Sequence, residues 1–202
     1  MLDNCWLCEE NRFVLNEELG LSAEETTVIE TEKSITFIDL SPVKIGHLLT
    51  LPKRHVNKFK DIISCELNDI IKHLKAISKH YSGNCISYAH VNKTTETQCV
   101  DHIHFHSVPT DMNVVKRIVG EVEFMPTPSS ENDILSIFQH GQILFTKPRT
   151  GNDYRKTIER LTNCDLRSWR SRIEDDPEKI EDRIRSSLDL FLKGENEITR
   201  SR

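Results

Sequence analysis

The sequence predicts an α+β fold: an antiparallel sheet of about five strands with one main helix, followed by a helical C-terminal extension. Three observations carry this. Short runs of β-branched and alternating residues recur between residues 26 and 109, and a single long stretch, residues 64–81, has helical spacing. No strand–helix–strand units of roughly 30 residues repeat, so nothing supports a parallel sheet.

Each element has its own justification. Residues 26–30 (TTVIE) and 34–39 (SITFID) read as short strands, and 46–52 (GHLLTLP) reads as a third, stopped by a proline that lacks an amide donor for the ladder. From Ser64 to Tyr81, Leu67, Ile70, Ile71, Leu74, Ile77 and Tyr81 recur at three and four residues, with Gly83 placed to end the helix. Residues 84–92 (NCISYAHVN) and 100–109 alternate again. The polar segment 93–98 joins them as a loop between paired strands.

Beyond Phe124 the character changes. Pro126-Thr127-Pro128-Ser129-Ser130 reads as a linker, which divides the chain into a domain at 1–124 and an extension at 125–202. Residues 134–145 form a mixed apolar patch interrupted by Gly141. From residue 151 acidic and basic residues are equally numerous. Asp176-Pro177-Glu178 is a helix start, and Ile180, Ile184, Leu188 and Phe191 form an apolar stripe ending near Gly194. The extension is therefore expected to be mainly helical, packing on the domain or on a partner.

Bulk properties narrow the function. The chain has 202 residues, 37% hydrophobic and 29% charged, the profile of an ordinary folded protein. A formal charge of −5 supplies no general attraction for nucleic acid or an anionic membrane. No apolar run approaches the roughly 20 residues of a membrane span, and the first residues lack a signal-peptide core. A cytoplasmic location is expected, with the nucleus left open. Six irregularly spaced cysteines then read as thiols or metal ligands rather than as a disulfide framework.

Three of the nine histidines fall in Val100-Asp101-His102-Ile103-His104-Phe105-His106-Ser107-Val108. On a strand, residues two apart share a face at about 6.6 Å. His102, His104 and His106 would then line one face while Ile103 and Phe105 enter the core. Clustered imidazoles supply a nucleophile and proton donors near neutral pH. A metal held by these three alone is geometrically poor, because the first and third would stand about 13 Å apart. The residues by themselves also fit a solvated histidine cluster on an edge strand.

The segment from His102 to Val108 resembles the signature of the histidine triad (HIT) family, and Gln98-Cys99-Val100 resembles that family's Gln-x-Val lead-in. Upstream, residues 37–42 (FIDLSP) and 46–55 (GHLLTLPKRH) are similar to its nucleotide-pocket segment. Cys5-Trp6-Leu7-Cys8 matches the CxxC opening of its zinc-carrying members. The likeness covers about residues 4 to 110, in order.

The resemblance implies a HIT-like fold and a nucleotide hydrolase that cleaves at the α-phosphate of a nucleoside phosphoramidate or dinucleoside polyphosphate through a nucleotidyl-histidine intermediate. His104 takes the nucleophile's position, His106 contacts the phosphate or bridging oxygen, His102 orients the nucleophile, and His47 completes the histidine set. Asp39 matches the residue that hydrogen-bonds the ribose hydroxyls, and Ile38, Leu40 and Leu49 match positions around the base. Asn92 and Gln98 match polar residues that hold the phosphate, and Cys99 stands where one branch has a phosphate-contacting serine. Cys5, Cys8, His55 and His102 match the ligands of a structural Zn2+, the inventory a Cys2His2 tetrahedron needs. The residues alone leave open a redox pair or two unrelated thiols at Cys5 and Cys8, and a simple turn residue at Asp39.

The departures are specific. Thr95-Glu96-Thr97 replaces the usual glycines before the Gln, and Ser107 replaces an apolar residue. His106, rather than a glutamine, favours hydrolysis over transfer. The expected partner is a purine nucleotide or nucleotidyl conjugate. A homodimer stays open, and neither nucleic acid nor a membrane is expected. Two other functions also stay open: a nucleotide-binding scaffold with vestigial catalysis, and a deadenylase of nucleic-acid ends, which Arg167, Arg170 and Arg172 would serve. His73, His80 and His90 carry no motif and read as surface or helix residues. His140 lies in the unmatched extension.

Overall fold

The computed structural model of the chain describes residues 5–91, 102–111, 113, 124–125, 134–139, 142–146 and 173–192. Among these, eight strands form one sheet: β1 (Thr27–Glu30), β2 (Ser34–Ile38), β3 (Leu48–Pro52), β4 (Cys85–Val91), β5 (Phe105–Pro109), β6 (Phe124–Met125), β7 (Ile134–Gln139) and β8 (Gln142–Thr146). Their order is β1-β2-β3-β5-β4-β7-β8-β6, and every pairing is antiparallel. The five strands expected up to Pro109 are present.

Every residue of β2 and β3 is buried, because the sheet is covered on both faces there. The main helix, α3 (Ser64–His80), packs Ile70, Leu74 and Ile77 onto one face, against Ile38, Leu48 and Phe105. On the other face Ile35, Phe37, Leu49 and Leu51 meet Cys5 and Leu7. The strand period of two sends neighbouring residues of β2 and β3 to these opposite cores. At the start of α3, Glu66 reaches back to the Ile63 N–H at 3.1 Å and is gripped by Arg54 through two bonds of 2.8 and 2.9 Å. At its end, Ser82 and Gly83 take positive φ values of 51° and 77°, so the chain leaves where Gly83 was expected to stop it.

Among the described residues, two short α-helices lie outside the expected set, beside a 3-10 turn at Phe59–Asp61. The first, α1 (Glu9–Glu18), has no regular apolar stripe. It is tied down by single contacts instead: Asn16 Nδ2 donates to Thr26 Oγ1 at 2.9 Å, and the Arg12 guanidinium lies 5.2 Å from the centre of the Phe37 ring. The second, α2 (Ala23–Thr26), opens with a reciprocal cap in which Ser22 and Glu25 each accept the other's backbone N–H, at 3.1 and 2.7 Å.

The extension contributes strands as well as a helix. Residues 134–145, which read as an irregular patch, enter the hairpin β7–β8, and β7 pairs along β4 from Ser87↔Phe138 to Val91↔Ile134. Apolar residues fall on both faces of ILSIFQ, so the alternation that marks a half-buried strand is missing from its sequence. The last helix, α4 (Pro177–Leu192), starts as expected, with Asp176 Oδ1 accepting the Lys179 N–H at 3.2 Å. Its Ile180, Ile184 and Phe191 are buried in the same core as α3, with Leu188 packed beside them. Phe191 also stacks on His80, ring centroids 4.9 Å apart. No helix among the described residues is long and apolar enough to cross a membrane.

Candidate active site and metal centre

The triad strand is anchored before it enters the sheet. The Ile103 N–H donates to the Val56 carbonyl at 2.7 Å, and Ile103 and Phe105 are buried as expected. Regular pairing begins only at Phe105, so His102 and His104 precede the strand and His106 lies within it. Two clusters result. The His102 ring meets the N-terminus, while His104 and His106 face each other edge to face, centroids 4.7 Å apart.

His104 is buried, and its Nδ1 lies 2.6 Å from the carbonyl oxygen of His102. That carbonyl can only accept, so Nδ1 carries the proton and the lone pair of the neutral ring sits on Nε2. Burial holds the His104 pKa below the ordinary histidine range. The His102 carbonyl and the negative charge of Asp39 act in the opposite direction. The site therefore holds a neutral imidazole with one nucleophilic nitrogen. His102 meets this ring through its backbone carbonyl and not through its side chain.

His47 is buried beside this pair. Its Nε2 lies 3.0 Å from His106 Nδ1, and its Nδ1 lies 3.1 Å from Asp39 Oδ2 and 3.3 Å from the donating N–H of Val43. Asp39 is itself fixed: Oδ1 accepts the Ser41 N–H at 2.8 Å, and its own N–H donates to the His47 carbonyl at 3.0 Å. Asp39 thus serves the turn and at the same time stands against the His47 ring. Opposite His106 stand Leu49 on β3 and Tyr88 on β4, and the Tyr88 ring stacks on the imidazole with centroids 5.1 Å apart.

The other positions expected around a nucleotide divide. Leu49 faces the histidine side, whereas Ile38 belongs to the core beneath α3, so the two do not share a sheet face. Leu40 is buried after the end of β2. Asn92, Gln98 and Cys99 lie outside the described residues, as do His140, Arg167, Arg170 and Arg172.

The second cluster is Cys5, Cys8, His55 and His102, whose ligand atoms all lie within 4.8 Å of one another. Cys5 Sγ is 3.5 Å and Cys8 Sγ 3.7 Å from His102 Nδ1, and Cys8 Sγ is 3.3 Å from His55 Nδ1. A tetrahedral ion with thiolate and imidazole bonds of ordinary zinc length has sulfur–nitrogen edges of about 3.6 Å, so the four donors fit one. His102 Nε2 lies 2.9 Å from the Pro52 carbonyl, which places the ring proton there and turns a bare Nδ1 toward the sulfurs. Burial lowers the His102 pKa to about 4, so the ring is in the neutral form that binds metal. The thiols are presented by a tight turn, Cys8 N–H to Cys5 carbonyl at 3.1 Å, that runs into α1.

Comparison with known proteins shows the family. Residues 21–113 match the HIT domain. The chain is 32% identical over 111 residues to a bis(5'-adenosyl)-triphosphatase of Dictyostelium discoideum, covering 52% of this chain and 74% of that one. The chain belongs to the HIT family. It is also 35% identical over 93 residues to an adenosine 5'-monophosphoramidase of Saccharomyces cerevisiae, covering 46% of this chain and 59% of that protein. A solved HIT family hydrolase from Legionella pneumophila is 26% identical, with a TM-score of 0.39 over 52% of this chain and 91% of its own. Kinship thus places the chain among HIT-family hydrolases, the enzyme class expected from its sequence. The HIT-domain match begins at residue 21, after Cys5 and Cys8, so the candidate metal centre rests on its own geometry.

Two participants escaped the sequence reading, and one residue outside the site was placed differently from its expectation. Tyr88 was detectable in principle, because alternation along β4 places it opposite the triad strand. The Val43 N–H is a backbone group with no sequence signature. His73, taken for a surface or helix residue, is a helix residue whose side chain turns inward: it is buried, with Nδ1 3.0 Å from Thr36 Oγ1.

Proposed function

We propose that the protein hydrolyses a nucleotidyl substrate at its α-phosphate, with His104 as the nucleophile. The observation that carries this reading is the 2.6 Å contact from His104 Nδ1 to the His102 carbonyl, which leaves Nε2 as the lone-pair nitrogen of a neutral, buried ring. In the first step the Nε2 lone pair attacks phosphorus, and a phosphorus–nitrogen bond forms as the bond to the leaving group breaks. His106 gives a proton to the departing atom. In the second step a water oxygen attacks phosphorus, its proton passes to His106, and the phosphorus–nitrogen bond returns its electron pair to Nε2. Splitting the displacement in two lets one fixed set of donors serve both halves.

In the same reading Asp39 accepts from the ribose hydroxyls, since a carboxylate retains acceptor sites beyond its Ser41 and His47 contacts. Leu40 and Leu49 supply apolar contacts for the base. The relatives' names point to substrates of the dinucleoside polyphosphate and adenosine phosphoramidate classes. Zn2+ held by Cys5, Cys8, His55 and His102 supplies a structural cross-link among the N-terminal segment, the residues after β3 and the triad strand. An intracellular setting, where the thiols stay reduced, belongs to this reading.

The test is turnover of an adenosine phosphoramidate, diadenosine polyphosphates and an adenylated DNA end by the wild type and by His104→Ala. Hydrolysis of at least one member by the wild type alone supports the proposal. No hydrolysis of any member by metal-replete protein moves the reading to a nucleotide-binding scaffold.

A further inference from the structure

Helix α4 grips the loop that leads to His47. Arg183 Nη1 donates to the carbonyl of Pro42 at 2.9 Å across 141 positions of sequence. The buried Ser187 hydroxyl accepts the Gly46 N–H at 2.8 Å and donates to the Arg183 carbonyl at 2.6 Å. Tyr81 Oη donates to the Gly46 carbonyl at 2.6 Å. Gly46 has φ 81°, and a Cβ there would meet Tyr81 Oη at 2.6 Å and Leu190 Cδ2 at 3.2 Å. The loop is thus held from α3 and from α4 at once.

The Pro42 carbonyl and the Val43 N–H belong to one planar peptide unit and point in opposite directions. A guanidinium on the carbonyl end fixes that plane and, by polarising the amide, strengthens the N–H as a donor. This N–H is the group that donates to His47 Nδ1 at 3.3 Å. The same Nδ1 lies 3.1 Å from an acceptor, Asp39 Oδ2. It can serve one of them: bare for Val43, or protonated for Asp39.

The choice propagates through the 3.0 Å contact between His47 Nε2 and His106 Nδ1. With Nδ1 bare, neutral His47 carries its proton on Nε2 and donates to His106 Nδ1, so neutral His106 carries its own proton on Nε2. With Nδ1 protonated, both rings reverse and His106 Nε2 is bare. Only the first arrangement gives His106 a proton for a leaving group.

We infer that Arg183 is a positioning residue for the histidine pair, which through the Pro42–Val43 peptide holds His47 and His106 in their Nε2–H forms. The consequence for rate rests on the proposed hydrolysis; the tautomers do not.

The test uses the full chain with isotope-labelled histidine. Long-range proton–nitrogen correlation spectra read the tautomers, and an adenosine phosphoramidate is the probe of turnover. The wild type and Arg183→Lys should show Nε2–H forms at His47 and His106. Arg183→Gln should shift both toward Nδ1–H and lower kcat on the order of tenfold while KM stays within about twofold. Ser187→Ala loosens the same helix without touching the Pro42 peptide, so it should melt lower yet keep the Nε2–H forms. Unchanged tautomers in folded Arg183→Gln overturn the inference, and so does a Ser187→Ala protein that shifts them as far. If the wild type hydrolyses nothing, the hydrolytic reading fails, while the tautomers still decide the role of Arg183.

Discussion

His102 and Pro52 are joined by a 2.9 Å contact between the imidazole Nε2 and the proline carbonyl. Because that contact fixes the ring proton on Nε2, the nitrogen facing Cys5 and Cys8 is a lone-pair donor, and the triad's first histidine turns toward the candidate metal centre.

Protein purified without chelator should therefore contain close to one zinc per chain by elemental analysis. Cys8→Ser should lower that content and the melting temperature, and it should reduce turnover only partly, because the centre holds His102 and not the substrate. Acid protonates thiolate ligands, so zinc and some stability should leave together as the pH falls. Metal-free protein with full activity and an ordered N-terminus contradicts the assignment.

The buried His73 predicts a pH dependence of stability outside the site. Burial lowers its pKa to about 4, whereas in the unfolded chain it titrates near the ordinary value of about 6.5. Between those values the unfolded state binds more protons, so stability is full above about pH 6.5 and declines as the pH falls toward about 4. Denaturant unfolding across that window should show the decline in the wild type and a shallower one in His73→Gln. Parallel profiles for the two proteins contradict the account.

Helix α4 buries Ile180, Ile184 and Phe191, side chains whose removal from water is worth on the order of 2 kcal/mol each. A chain ending ahead of Pro177 uncovers the surface they pack on. It should lose solubility or change its mass in solution by light scattering. Equal solubility, mass and activity would mean that α4 is an independent appendage.

The sequence was informative where periodicity is local. Strands β1 to β5 and helix α3 follow from alternation and three-and-four spacing, and α4 follows from the Asp176-Pro177 start and its stripe. The candidate metal ligands and the histidine set stand in the sequence as motifs, and the structure brings Cys5, Cys8, His55 and His102 together, as it does Asp39, His47 and His106. Helix α1 was not legible, because it is held by single polar contacts rather than a stripe. Hairpin β7–β8 was not legible either, because residues apolar on both faces show no period of two. Arg183 and Ser187 reach Pro42 and Gly46 through contacts that exist only once the chain has folded back on itself. No local pattern encodes such a pairing.

The most direct measurement is to stop the reaction within a turnover of an adenylated substrate and map the modified peptide by mass spectrometry under alkaline conditions, where a phosphorus–nitrogen bond to histidine survives. The account predicts a nucleotidyl group on the side chain of His104, formed and lost at rates consistent with turnover and absent from His104→Ala. A nucleotidyl group on any other residue, or turnover with none formed, contradicts it.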